Sequence, residues 1–282
     1  MMHLSVFAST KRALVIGIGA YPKESGWAAI NGDKDIPMVI KILNTNGFNS
    51  KNIKILRNEQ ATKKQIQASM KQLADMSKPG DQIYIHFSGH GQQVTDVHGD
   101  EDDGLDEAWI PYDAQASYAK GKYEGENHIL DDELYVWFSA ITDKIGDKGH
   151  LTISVDACHS GDCSRGGDED TAVVRGAFAD GRKGLETVFA CVRSWFSKDE
   201  TPVVAAERVV KWTMISACMS RQSNHEYNGC GSLTSALYEM ADQLGNMTGE
   251  EVRVKVRNWM HSKFGNVQKP EINPERKNQS FF

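Results

Sequence analysis

Cys158 and His90 are the residues of this chain best suited to covalent chemistry. Cys158 stands in Leu151-Thr-Ile-Ser-Val-Asp-Ala-Cys-His-Ser-Gly161, where a β-branched apolar run gives way to an acid, a small residue and the thiol. Such a run predicts a buried strand whose end delivers the cysteine to one end of a sheet, exposed rather than packed. A nucleophilic thiol needs a base. Upstream, Ile83-Tyr-Ile-His-Phe-Ser-Gly-His-Gly91 is a second apolar strand that also ends in a polar, glycine-flanked tip. Two strand ends presenting Cys and His form the skeleton of a cysteine nucleophile with its general base. Cys158 would attack a carbonyl carbon as thiolate, and His90 would help generate it and protonate the leaving amine. The backbone N–H groups of Gly91 and Cys158 are candidate oxyanion donors, each worth roughly 3–4 kcal/mol of barrier.

The elements that must position these tips follow from apolar periodicity. Arg12 to Gly19 predicts a first buried strand, Asp33 to Asn46 a helix with Ile36, Val39, Ile40 and Leu43 on one face, and Asn52 to Leu56 a second strand. Thr62 to Met76 predicts a helix with Thr62 as N-cap, and Gln82 to Phe87 a third strand. This alternation predicts an α/β fold whose mostly parallel central sheet, of about six core strands, has helices on both faces. Gln92 to Asp106 reads as a long acidic loop, followed by the apolar run Ala108 to Pro111. Asp131 to Ile141 reads as a helix and Leu151 to Val155 as the fourth core strand. Beyond a Gly-, Asp- and Arg-rich stretch come a fifth strand, Arg208 to Ser216, and helices at Ser232 to Leu244 and Glu250 to Phe264. The tail from Asn266 reads as a loop or edge strand, and no second core is expected. Ligands of open α/β sheets collect at the carboxyl ends of strands, where His90 and Cys158 both fall.

Bulk properties exclude several classes. The net charge of −6 gives no support for a nucleic-acid partner. Five cysteines, an odd number without framework spacing or a CxxC pair, argue against a disulfide scaffold or structural zinc and for a reducing compartment. The segment Met1 to Lys11 lacks the apolar run of a signal peptide, and no run of about 18 apolar residues could span a bilayer. The expectation is a cytoplasmic protein with no membrane partner.

The motifs Ser88-Gly-His-Gly91 and Asp156-Ala-Cys-His-Ser-Gly161, in this order and on these strands, resemble those of caspase-fold cysteine peptidases, specifically the metacaspase and bacterial orthocaspase branch. Asp131-Asp-Glu-Leu134, Ile215-Ser-Ala-Cys218 and Gly231-Ser-Leu-Thr-Ser235 extend the resemblance over nearly the whole chain. It implies a single caspase-like domain over residues 1–282: a large-subunit part over 1–164 and a small-subunit part over 208–282. Residues 165–207 would be a processing linker, in which Arg165, Arg175, Arg182, Lys183 and Arg193 are candidate self-cleavage sites. A monomer is implied.

Animal caspases carry Gln two residues before the nucleophile, in a pocket built with Arg for a substrate aspartate; this chain carries Asp156. Metacaspases add a second acid inside the first helix, and Asp35 matches it in place. Ser88 would add a hydrogen-bonding wall. Two carboxylates in one pocket attract Arg or Lys and repel Asp; at 4 Å and an effective dielectric of 20, each charge pair is worth roughly 4 kcal/mol before desolvation. The implied activity is endopeptidase cleavage after basic residues of protein or peptide substrates. No cofactor is required. The acidic runs do match a region where several metacaspases bind calcium, which makes Asp103, Asp106, Asp131 and Asp132 candidate oxygen ligands. Two alternatives stand beside this reading: a catalytically silent caspase-fold scaffold and an Asp-specific caspase. His86 reads as a structural histidine, and Cys163, Cys218 and Cys230 as packing residues.

Overall fold

The computed structural model describes residues 9–95, 105–157, 176–178, 210–219, 222, 224–266, 268–273 and 276–282, with the backbone alone at 95, 105, 106 and 176–178. Strand β1 (Lys11–Gly17) leads into helix α1 (Gly32–Thr45), then β2 (Ile53–Arg57), α2 (Lys63–Met76) and β3 (Gln82–Ser88). Three short strands follow, β4 (Gly91–Thr95), β5 (Leu105–Trp109) and β6 (Ile129–Leu130), before α3 (Asp131–Ile145) and β7 (His150–Asp156). The remainder comprises β8 (Gly176–Phe178), β9 (Thr213–Ser216), β10 (Glu226–Tyr227), β11 (Cys230–Gly231), α4 (Ser232–Glu239), α5 (Gly249–Phe264) and β12 (Glu271–Ile272).

The central sheet has the order β12-β9-β7-β3-β1-β2, parallel throughout except for the antiparallel edge strand β12. Each interior strand is covered on both sides, which is why its sequence is an almost uninterrupted apolar run. Leu14, Ile16 and Ile85 pack under α2 and α3 with Ile66, Met70, Trp137 and Ile141. Ala13, Val15 and Tyr84 face the opposite layer, where Val39 and Ile42 of α1 meet Leu233 and Leu237 of α4 and Val252 and Val256 of α5. The α/β class and the two-faced helical cover are as expected. Thr62 caps α2 through a 3.3 Å bond from Gln65 N–H to its hydroxyl.

Four expectations need correction. Gln92 to Asp106 is not simply a loop: β4 and β5 pair antiparallel, Gly91 opposite Trp109, within a second sheet of order β6-β5-β4-β8. This sheet has its own small apolar cluster of Trp27, Val94, Ala108, Ile110, Ala114 and Leu130, where none was expected. The inward-facing polar residue of β4, Gln92, is fully buried against His128, so the strand shows no apolar alternation. The fifth core strand begins at Thr213 rather than Arg208, and the helix from Ser232 closes at Glu239, five residues before a separate 3-10 turn at Leu244–Asn246.

Candidate functional site

His90 follows β3 by one glycine and leads into β4. It is completely buried. Its backbone is held on both sides: the N–H donates to the Tyr21 hydroxyl at 3.0 Å, and the carbonyl accepts from Ile110 N–H at 3.1 Å. Tyr21 in turn donates to the Ile110 carbonyl at 3.2 Å. The ring is oriented by Ala28, whose carbonyl lies 2.9 Å from Nε2. A carbonyl only accepts, so Nε2 carries the proton, and the lone pair of the neutral imidazole is at Nδ1. Trp27 stacks on the ring at 4.8 Å between centroids and 29° between planes, while Tyr21 leans on it at 5.1 Å and 47°.

Strand β7 brings the chain to the same end of the sheet. Ser88 pairs with Asp156 in the β3–β7 register, so His90 and Cys158 each stand two residues beyond a matched pair. Ala157 is the last described residue of this stretch and is fully buried. Cys158, whose N–H is the other oxyanion candidate, lies outside the described residues. Gly91 opens β4, opposite Trp109 on one side and Gly176 on the other.

Asp35, Ser88 and Asp156 come together around the β10–β11 hairpin and the start of α4. Asp35 sits in the first turn of α1; its Oδ2 accepts the Ser88 hydroxyl at 2.5 Å and its Oδ1 the Gly231 N–H at 2.8 Å. Asp156 Oδ1 accepts from Asn224 Nδ2 at 2.7 Å, and Oδ2 accepts both the N–H and the hydroxyl of Thr234 at 2.7 Å each. Both carboxylates are fully buried. The named donors are neutral groups that solvate each carboxylate without cancelling its charge, as burial of an acid requires. That charge is felt nearby: burial first, then Asp156, pushes the Tyr84 phenol well above its ordinary pKa.

The hairpin is turned by Asn228 and Gly229, with φ of 52° and 72°, the Asn-Gly signature of a tight two-residue turn. Gly231, by contrast, has an ordinary φ of −61°, and its glycine is a matter of room. A Cβ there would lie 2.1 Å from Asp156 Oδ2. Glu226 closes the other side, accepting from Asn31 N–H at 2.8 Å and from the Asn31 side-chain amide. Gln268 supports Asn224 and Ser232 from behind, at 2.8 and 2.7 Å.

Of the four candidate calcium ligands, Asp131 and Asp132 have described side chains. Asp103 lies outside the described residues, and Asp106 is described by backbone alone. Asp131 accepts the Asp132 N–H at 3.0 Å in the first turn of α3, a position where acids offset the helix dipole. Among the described residues, no group of three or more His, Cys, Asp or Glu could hold a metal ion. No helix among them is long and apolar enough to cross a membrane. His86 is a buried structural residue, its Nδ1 2.7 Å from the Ser154 hydroxyl. Cys218 packs behind the tip of β7, its thiol 3.7 Å from the Ala157 carbonyl.

Sequence reasoning missed Tyr21, Trp27, Ala28, Asn224, Gly231 and Thr234 as parts of this site. A carbonyl acceptor such as that of Ala28 has no sequence signature, and Asn224 and Thr234 reach Asp156 across 68 and 78 residues of chain.

Comparison with known proteins gives the family and the fold. Residues 11–164 match the family model for the metacaspase, peptidase C14 domain. Metacaspase-1A of Aspergillus oryzae is 32% identical over 165 residues, covering 56% of this chain and 36% of that protein. Metacaspase-1 of Mycosarcoma maydis is 25% identical over 93% of this chain and 69% of its own length. Metacaspase III c of Phaeodactylum tricornutum is 34% identical over 54% of this chain and 43% of its own. Several curated relatives thus extend well beyond the matched region, which takes up about a third of the first of them. A crystal structure of a protein from Geobacter sulfurreducens superposes with a TM-score of 0.62 over 96% of this chain and 98% of that one; at 22% identity it speaks for the fold alone. On the family match and the two motif-bearing strand ends, the chain belongs to the metacaspase family of C14 cysteine peptidases.

Proposed function

We propose that the chain is a cysteine endopeptidase that cleaves after Arg or Lys through a Cys158–His90 dyad. The observation that carries the basic preference is the convergence of two fully buried carboxylates, Asp35 and Asp156, on Ser88 and Gly231 at the carboxyl end of the sheet. A guanidinium or ammonium entering there gains the field of both acids, whereas an aspartate is repelled. Support for the dyad comes from the register, which puts His90 and Cys158 equally far beyond Ser88 and Asp156, and from the Ala28 carbonyl, which leaves Nδ1 as the basic nitrogen.

In this reading the Cys158 thiol gives its proton to His90 Nδ1, and the thiolate attacks the scissile carbonyl. The oxyanion is met by the N–H groups of Gly91 and Cys158. His90 then protonates the leaving amine, and the acyl-enzyme is hydrolysed by a water that His90 deprotonates. Residues 1–164 and 208–282 would be the large and small parts of one monomeric domain. Self-processing would fall in 165–207, which lies outside the described residues except for β8. Calcium enters no step.

Fluorogenic peptides with Arg, Lys or Asp before the scissile bond, offered to wild type, Cys158→Ala, His90→Ala and Asp35→Asn, test the proposal. Turnover of Arg and Lys substrates alone, abolished in Cys158→Ala and reduced in Asp35→Asn, is expected. Turnover confined to Asp, or activity surviving Cys158→Ala, overturns it. Mass spectrometry of wild type beside Cys158→Ala reads any cut in 165–207 directly.

A further inference from the structure

The segment between β1 and α1 holds His90 more elaborately than orientation of its ring requires. Ala28 alone fixes the tautomer, yet the preceding residue lays an indole flat against the same ring, at 4.8 Å and 29°. Trp27 is itself 6% exposed, and its Nε1–H is buried with no acceptor among the described residues. Burying an unmet N–H costs about 1–3 kcal/mol, so a phenylalanine would be the cheaper way to fill this space. The segment is also tied down around the indole. Trp27 N–H donates to the Ser25 hydroxyl at 3.2 Å, Ser25 accepts from Ala116 N–H at 2.7 Å, and Ile30 N–H donates to the Gly19 carbonyl at 2.8 Å. Gly26, with φ of 78°, makes the bend that turns the indole inward.

We propose that Trp27 is a positioning residue for His90, whose indole face fixes the imidazole plane and favours its protonated form. The inference rests on the reading of His90 as the acid–base residue. An imidazolium within about 6 Å of an indole centroid is attracted by the negative face of the ring, whereas the neutral imidazole gains far less. Trp27 therefore stabilises the state in which His90 has taken the thiol proton and can pass it to the leaving amine. Among the described residues, those against His90 include the Tyr21 phenol, the Trp27 indole and the Ala28 carbonyl from the segment between β1 and α1, and the Ile110 peptide after β5, while the proposed partner Cys158 lies outside them. The phenol is the one ionisable group among these described four.

The test is a pH titration of the His90 ring by NMR on full-length, histidine-labelled protein carrying Cys158→Ala, comparing Trp27 with Trp27→Phe and Trp27→Leu. The His90 signal is assigned from its loss in His90→Gln. The expected result is a titration midpoint lower by about half a pH unit or more in Trp27→Leu, with a smaller fall in Trp27→Phe. Urea stability of Trp27→Phe should stay near that of the parent, because the unmet N–H is removed along with the larger ring. An unchanged midpoint in Trp27→Phe, with Trp27→Leu either unchanged or unfolded, overturns the inference. In the Cys158 protein the alkaline limb of kcat/KM should move down with the midpoint. A midpoint that moves while peptide turnover is indifferent to His90→Ala would instead overturn the dyad reading, and with it the catalytic consequence, while the effect of Trp27 on the His90 ring would stand.

Discussion

Thr234 gives Asp156 both of its donors: the backbone N–H and the side-chain hydroxyl of one residue meet the same carboxylate oxygen at 2.7 Å. An acid on β7 thereby occupies the capping position at the start of α4, where Gly231 contributes no side chain of its own. The site carboxylate and the helix start are one structural unit. Thr234→Val keeps the N–H and the shape but removes the hydroxyl. It should lower stability by about 1.5–3 kcal/mol, the usual worth of a hydrogen bond to a buried charge, read as a urea midpoint shift at constant m-value.

Gly231 separates space from backbone freedom. Its φ suits any residue, yet an alanine Cβ would sit 2.1 Å from Asp156 Oδ2. Gly231→Ala should therefore push the carboxylate aside rather than strain the hairpin. The expected outcome is a loss of about tenfold or more in kcat/KM on an Arg substrate, with Cys158 still alkylated by a small iodoacetamide probe. Unchanged turnover would show that Asp156 does not meet the substrate.

Behind the second sheet, Lys63 and Glu133 form a buried ion pair at 2.8 Å, with side-chain exposures of 11% and 1%. Lys63 also donates to the His128 carbonyl at 2.7 Å, and Glu133 accepts the Leu130 N–H at 3.1 Å. Lys63→Met strands the acid and should cost about 3–5 kcal/mol. Adding Glu133→Gln removes the stranded charge while keeping an acceptor for Leu130, so the double variant should be more stable than Lys63→Met alone. A denaturant series on the three proteins decides it.

His150 sets a pH limit on the fold. Burial, with a contribution from Arg276, lowers its pKa from 6.5 to about 4. Between these values the unfolded chain binds the proton and the folded chain does not, so stability is full above pH 6.5 and falls as pH drops toward 4. The shift corresponds to about 3 kcal/mol. His225, also lowered by burial, acts in the same direction. Urea midpoints across this window should fall steeply for wild type and less steeply for His150→Gln; parallel curves would refute the assignment.

The core strands were legible because helices cover both of their faces. Runs such as Ala13 to Ile16, Ile83 to Phe87 and Leu151 to Val155 are apolar at nearly every position, and their polar ends mark the site. Asp35, Ser88 and Asp156 were named through the resemblance to caspase-fold peptidases, which points to an acid inside the first helix, the end of the third strand and the position two residues before Cys158. The β4–β5 pairing stayed hidden, since a strand that buries Gln92 against His128 looks like a loop. What orients His90 was equally invisible: Ala28 contributes a backbone oxygen, and Trp27 looks like any core aromatic until its ring is seen against the imidazole.

Because β9 is hydrogen-bonded to β7 inside the central sheet, a nick between residues 179 and 209 would not release a fragment. The two pieces would share one sheet, one apolar layer between α1 and α4, and the bonds from Asn224, Gly231 and Thr234 to the two acids. Peptide-bond hydrolysis there alters connectivity without altering association. The chain is thus built as a ready pair for fragment complementation, in which two separately expressed halves would be expected to find each other and restore the acidic pocket only on pairing.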